Sequence, residues 1–99
     1  ILEAGVLFPI GIIVNELITN AIKYAFKGRD KGLIGVSLTQ NGRRAILVIE
    51  DNGTGIPESV DLKNSGFGLQ LVWILTEQIR GTIRFERKNG TKFIIDFNI

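Results

Sequence analysis

Apolar residues recur with a helical period in two stretches of the chain and with a strand period in four others, in the order helix, hairpin, long loop, helix, hairpin. The first helical stretch is the most apolar. Pro9 suits a first helical turn, where its missing N–H would bond nothing in any case, and Gly11 is the only breaker before Gly28. The spacing therefore predicts a helix from about Pro9 to about Lys27. At about 100° per residue, Ile10, Ile13, Val14, Leu17, Ile18, Ala21, Ile22 and Ala25 share one broad face, the expected core contact. Glu16, Asn20 and Lys23 fall within about 60° of one another on the opposite side. Ile1 to Phe8 reads as the tail of an upstream element in a longer polypeptide.

Leu33 to Thr39 alternates, with Ile34, Val36 and Leu38 on one side and Leu33, Gly35, Ser37 and Thr39 on the other, as a half-buried strand does. Asn41-Gly42 follows as a type I′ hairpin turn, which needs positive φ at both central residues. The returning strand, Arg44 to Glu50, carries Ala45-Ile46-Leu47-Val48-Ile49, apolar on both faces. It is expected at the centre of a sheet with cover on both sides. Asp51 then opens a loop that lasts to Ser65, a length that usually serves function in a small domain. From Phe67 to Arg80 an amphipathic helix is expected, its face formed by Leu69, Val72, Trp73, Leu75 and Ile79 and widened by Leu71 and Ile74. Gly81 takes the left-handed position that stops it. Thr82 to Arg87 and Thr91 to Ile99 pair through a second turn at Asn89-Gly90, with Phe93, Ile95 and Phe97 on one face. The order gives an α/β (α+β) two-layer sandwich, a mixed but mostly antiparallel sheet with helices on one face.

With 99 residues, the chain has room for a single domain spanning 1–99 and no second core. An apolar content of 44% places it among globular rather than disordered chains. No uninterrupted apolar run approaches the ~18 residues of a membrane span, so no membrane contact by this domain is expected. Twelve basic and ten acidic residues leave a net charge of +2, which gives no electrostatic case for nucleic acid. Absence of cysteine removes disulfides and thiolate metal sites. Absence of histidine removes the commonest general base and the commonest metal ligand together.

Three stretches carry candidate chemistry. Asp51-Asn52-Gly53-Thr54-Gly55 sets a carboxylate at the end of a buried strand beside two glycines, so that a flat ligand can approach the backbone while the acid accepts a hydrogen bond from an exocyclic amine. Alone, the same residues suit an ordinary turn with a capping Asp. Gly66-Phe67-Gly68 opens the second helix, where free N–H groups and a partial positive charge attract phosphate. It fits neither the dinucleotide fingerprint, since Leu71 occupies the third glycine position, nor a P-loop. On the first helix, Asn20 and Glu16 offer oxygen to a hard cation such as Mg²⁺, which often takes only one or two protein ligands, and Lys23 offers an amine to phosphate. Each feature has a bland reading by itself; together they make an adenine, phosphate and magnesium site the simpler account.

In order and spacing the three stretches resemble a known family. Asn15 to Phe26 (Asn-Glu-Leu-Ile-Thr-Asn-Ala-Ile-Lys-Tyr-Ala-Phe) resembles the N box of sensor histidine kinases, Asp51 to Pro57 their G1 box, and Gly66 to Val72 their G2 box. Gly90-Thr91-Lys92-Phe93 is similar to their closing strand. These kinases share the GHKL ATPase superfamily with type II topoisomerase, the ninety-kilodalton heat-shock chaperone and MutL. The short lid is most similar to the HisKA_2 subfamily, near the HWE kinases. The resemblance implies a Bergerat-type fold that binds ATP and Mg²⁺, with Asn20 on the metal and Glu16 a further candidate ligand. It implies Asp51 on the adenine amine, Gly53 and Gly55 shaping the base pocket, and Gly66 and Gly68 near the phosphates. Lys23 would face phosphate, Thr91 would lie near the base, Ile56 and Leu69 would also touch the nucleotide, and Ile56 to Ser65 would form the lid.

The implied activity is protein-histidine kinase: donation of the γ-phosphate of Mg-ATP to a histidine on a separate dimerisation domain of the same polypeptide, with a response regulator downstream. This chain has no histidine, so it is not expected to phosphorylate itself, and it lacks a separate Phe-rich box between G1 and G2. The resemblance also implies a monomeric fragment of a homodimeric parent, and a cytoplasmic domain whose parent is either free or membrane-associated. Glu16 keeps two other readings open. Related ATPases carry a water-activating glutamate at this place, so hydrolysis or a serine kinase activity with Glu16 as general base is the alternative; a non-catalytic nucleotide-binding module ranks below both.

Overall fold

A computed structural model describes residues 4–25, 32–53, 69–87 and 90–99. Helix α1 (Ala4–Asn20) passes into a π-helical turn (Ala21–Ala25) and is followed by strands β1 (Ile34–Asn41) and β2 (Arg44–Asp51). Helix α2 (Leu69–Gln78) precedes β3 (Thr82–Glu86) and β4 (Lys92–Asn98). The strands form one antiparallel sheet in the order β1-β2-β4-β3, so β2 and β4 are central. Ala45, Leu47 and Ile49 pair with Phe97, Ile95 and Phe93, and this face meets Ile10, Ile13 and Leu17 of α1 and Leu69, Val72 and Leu75 of α2 in one buried cluster. The fold is the two-layer sandwich that the pattern predicts.

Among the described residues helix α1 already runs from Ala4, before Pro9, so Ala4 to Phe8 belongs to the same helix as the residues after it; residues 1–3 lie outside the described residues. Proline inside a helix removes one ladder bond, here the one its N–H would make to Gly5. Val6, packed against the core, and buried Pro9 itself keep that turn in place. The expected end near Lys27 lies outside the described residues. By length and hydropathy, the 20 residues Ala4–Lys23 would suffice to cross a membrane, a test that helices packed in a core also pass. The buried face of α1 is narrower than the broad one expected. Ile10, Ile13, Leu17 and Ala21 are buried, Val14 and Ile18 are half-buried, and Ile22 is 62% exposed. Asn20 consequently lies beside the core stripe rather than opposite it, and is half-buried. On α2, Leu71 and Ile74 are exposed and do not widen the core face, while Thr76 is buried and donates its hydroxyl to Val72 O at 2.7 Å.

The sheet departs from expectation in four places. Val36 and Leu38 of β1 are each 48% exposed, because β1 is an edge strand at the rim of the helix layer. On the face away from the helices, Ile46 is exposed, so β2 is not covered there; Ile94 is sheltered between Val48 and Arg84 of the neighbouring strands. Arg44 and Asp96 form an ion pair on that face. In the first hairpin Asn41 pairs with Arg44, which makes Gly42 and Arg43 the turn residues, with positive φ at Gly42 alone. The turn has slid, but by a step that changes partners in twos and so preserves which side chains face the core. In the second hairpin Phe85 pairs with Phe93 and Glu86 with Lys92, not the register that a two-residue Asn89-Gly90 turn would give. That turn would pair Ile83 with Asp96 and send the β3 side chains to the wrong face, so apolar pairing overrules it.

Helix α2 ends in a Schellman motif: Gly81 N–H donates to Thr76 O and Arg80 N–H to Glu77 O, both at 2.9 Å. The left-handed residue is Arg80, with φ of 57°, and not Gly81. Gly81 is needed for another reason, since a Cβ there would lie 2.9 Å from Asp96 O. A non-glycine left-handed residue costs about 1–2 kcal/mol. Arg80→Gly is therefore expected to raise unfolding free energy by about 1 kcal/mol in urea denaturation; a decrease would contradict this account of the cap.

Candidate functional site

The long loop leaves the sheet at Asp51, the last residue of β2, and the chain there is held from three directions. Toward β4, Asp51 N–H donates to Thr91 O at 2.9 Å, and Thr91 N–H donates to Asp51 Oδ1 at 3.4 Å. Toward the loop, Gly53 N–H donates to the same Oδ1 at 2.8 Å, closing a turn in which a carboxylate accepts from the amide two residues on. Toward β1, Asn52 N–H donates to Leu33 O at 3.2 Å and Leu33 N–H donates to Asn52 Oδ1 at 2.9 Å. Asp51 is half-buried and Gly53 buried. Both amides converge on Oδ1, so Oδ2 makes no hydrogen bond among the described residues. A carboxylate held in this way can accept a further hydrogen bond from a ligand's donor group.

The segment before β4 reaches this knot through Gly90. Its φ is +121°, and a Cβ would run into the Asp51 carbonyl oxygen while lying 2.9 Å from its carbon and 3.1 Å from Asn52 Cα. Only glycine permits that backbone-on-backbone approach. Next to it, Thr91 is 2% exposed, and its Oγ1 is buried with no hydrogen-bond partner among the described residues. Asn20 Nδ2, at the end of α1, is buried and unpartnered in the same way. Such groups cost about 1–3 kcal/mol each when left unsatisfied and are rare enough to need an explanation. A polar ligand that supplies the missing partner is one.

The π-helical turn that follows Asn20 carries Lys23, which is exposed; such widened turns are frequent at functional sites. Glu16 is half-buried, one turn before Asn20. No hydrogen bond or ion pair among the described residues joins Glu16, Asn20 or Lys23 to the knot at Asp51. Leu69 is 1% exposed and belongs to the core cluster at the start of α2. Gly55, Ile56, Gly66 and Gly68 lie outside the described residues. Among the described residues no three His, Cys, Asp or Glu side chains form a metal-binding group. The donor types fit a cation that takes one or two protein oxygens and fills its shell with phosphate and water: Asn20 and, one turn before it, Glu16 each carry a side-chain oxygen, whereas the unpartnered Asn20 atom among the described residues is Nδ2, a hydrogen-bond donor and not a cation ligand.

The structure thus gathers Asp51, Gly53 and Thr91 into one hydrogen-bonded unit and adds two residues to which the sequence reading gave no positioning role, Asn52 and Gly90. For Gly90 the signal was its place directly before Thr91; for Asn52 it was an amide side chain next to the strand-ending carboxylate.

A family model described as histidine kinase-, DNA gyrase B- and HSP90-like ATPase matches residues 6–99. Blue-light-activated histidine kinase 2 of Erythrobacter litoralis is 34% identical over 92 residues, 91% of this chain and 26% of that protein. An anti-sigma F factor of Clostridium kluyveri is 28% identical, over 83% of this chain and 63% of its own length. Among solved structures, the histidine kinase domain of the Erythrobacter litoralis EL346 blue-light-activated histidine kinase superposes with a TM-score of 0.86 at 31% identity, covering 94% of this chain and 44% of the other. The Acinetobacter baumannii histidine kinase AdeS superposes with a TM-score of 0.76 at 30% identity, over 91% of this chain and 45% of the other. The chain therefore spans about a quarter to two thirds of these relatives.

Proposed function

Because the chain belongs to the histidine kinase-, DNA gyrase B- and HSP90-like ATPase family, we propose that it is the catalytic, ATP-binding domain of a sensor histidine kinase, a single domain over residues 1–99. It binds Mg-ATP and presents the γ-phosphate to a histidine on a dimerisation domain of the same polypeptide; the Pγ–O bond to ADP breaks as a Pγ–N bond to the imidazole forms. The domain is cytoplasmic, its parent a homodimer, and a response regulator takes the phosphoryl group onward.

The observation that carries this reading is the half-buried Asp51 carboxylate, with Oδ1 committed to two backbone amides and Oδ2 without a hydrogen bond among the described residues. Adenine would donate its exocyclic amine to Oδ2, while Gly53 and Gly55 give the base room and Thr91 Oγ1 gains the partner it lacks. Asn20 and, behind it, Glu16 would hold Mg²⁺, which when bound neutralises charge on the phosphates. Lys23 and the amides near Gly66 and Gly68, at the N-terminal side of α2, would face phosphate oxygens. The residues bind, orient and neutralise, and positioning supplies most of the catalysis.

Glu16 favours a second reading. A half-buried carboxylate one turn before Asn20 can act as a general base on water or on a serine hydroxyl, which would make the domain a hydrolase or a serine kinase. Incubated with Mg-ATP, the chain is expected to bind the nucleotide without steady phosphate release, since a general base acting on water would accelerate hydrolysis by about a hundredfold or more. Steady phosphate release abolished by Glu16→Gln would establish the hydrolytic reading instead.

A further inference from the structure

The antiparallel ladder between β1 and β2 ends in an unusual way. Ile34 pairs with Asp51, and the next rung is Leu33 with Asn52. In a regular rung Asn52 N–H would donate to Leu33 O and Leu33 N–H to the Asn52 carbonyl. The first bond is present, at 3.2 Å, but Leu33 N–H goes to the side-chain oxygen Oδ1 of Asn52, at 2.9 Å. The side chain stands in for its own residue's carbonyl. The rung is complete, yet the backbone carbonyl is released from it, and the chain turns out of the sheet at this residue. That departure brings Gly53 N–H back to Asp51 Oδ1 at 2.8 Å.

We infer that Asn52 is a positioning residue that sets nucleotide-base selectivity: by ending the ladder with its side chain, it fixes the turn that commits Asp51 Oδ1 to Gly53 and leaves Oδ2 for the exocyclic amine of a 6-aminopurine. The inference rests on the adenine reading of Asp51. Without the side-chain oxygen, Leu33 N–H recovers its partner from the residue 52 carbonyl, the strand runs on straight, and Gly53 N–H is drawn off Asp51. The carboxylate then loses its fixed orientation while the phosphate-facing residues are untouched. Asn52 is exposed, so its replacement leaves the core intact.

The test compares binding of ATP with binding of purine riboside triphosphate, which lacks the 6-amine, in the wild type, Asn52→Ala, Asn52→Gln and Asn52→Asp. The wild type should prefer ATP. Asn52→Ala should lose about tenfold in ATP affinity and keep its affinity for the amine-free nucleotide, so that the preference collapses. Asn52→Gln retains the amide but overreaches by one methylene and should behave like Asn52→Ala. Asn52→Asp keeps the acceptor oxygen and should restore the preference. Equal weakening of both nucleotides in Asn52→Ala, or a preference kept intact there, overturns the inference while leaving the adenine reading standing. A wild type that binds both nucleotides equally overturns the adenine reading itself, and the inference with it.

Discussion

Gly90→Ala is expected to destabilise the fold by about 2–4 kcal/mol and to abolish ATP binding at concentrations that saturate the wild type. Two costs add. At φ of +121° an L side chain is strained wherever it sits, by about 1–3 kcal/mol. The new methyl group also has no free direction, since it meets the carbonyl of Asp51 and the Cα of Asn52, which are backbone and cannot rotate aside. The structure can relieve the clash only by parting the Gly90–Thr91 segment from Asp51, which breaks Asp51 N–H to Thr91 O and Thr91 N–H to Asp51 Oδ1. Stability and ligand affinity should therefore fall together. Denaturant unfolding with and without ATP measures both; an unchanged midpoint would mean that Gly90 does not press on Asp51 in solution.

Asp51→Asn should lower ATP affinity by about tenfold to a hundredfold while leaving stability within about 0.5 kcal/mol. The substitution keeps an oxygen for the amides of Gly53 and Thr91, so the loop stays closed. What changes is the outer position, where an amide N–H₂ replaces Oδ2 and meets the exocyclic amine donor to donor. A charge-assisted hydrogen bond of about 1.5–3 kcal/mol is lost. Inosine triphosphate, which offers a carbonyl where ATP offers an amine, should suffer less from the exchange than ATP does. Calorimetric titration with the two nucleotides measures the difference, and equal losses for both would remove Asp51 from base recognition.

Much of this architecture is legible in the chain because single residues report on it. The alternation through Phe93, Ile95 and Phe97 gives the buried face of β4, and the doubly apolar run Ala45 to Ile49 gives the central place of β2. Turn chemistry is a weaker guide. Asn89-Gly90 is a strong hairpin signal, yet the register follows Phe85 opposite Phe93, because one misplaced residue would have cost the whole inner face of β3. The match of Ile83 and Phe85 to Ile95 and Phe93 was available in the sequence as the deciding fact. Pro9 misled for the opposite reason, since one missing bond is a small loss beside the packing of Val6 and Ile10. The width of the buried face of α1 depends on how far the sheet reaches beneath it, which no local pattern encodes; hence Ile22 is exposed and Asn20 stands beside the core stripe. At the site, residue types point to Asp51 as a hydrogen-bond acceptor, and the family resemblance to Thr91 near the base. The use of Gly90 and Asn52 to hold them depends on contacts between segments some 20 to 40 residues apart.

The most direct test of the central claim, that the Asp51 knot and Asn20 together form a nucleotide site, is a calorimetric titration of this 99-residue chain with ATP in the presence and absence of Mg²⁺. Saturable binding at one site per chain is predicted, weakened by Asp51→Asn with or without the metal and weakened by Asn20→Ala only when the metal is present. Absence of saturable heat up to millimolar ATP from folded protein, or binding indifferent to both substitutions, would contradict the account.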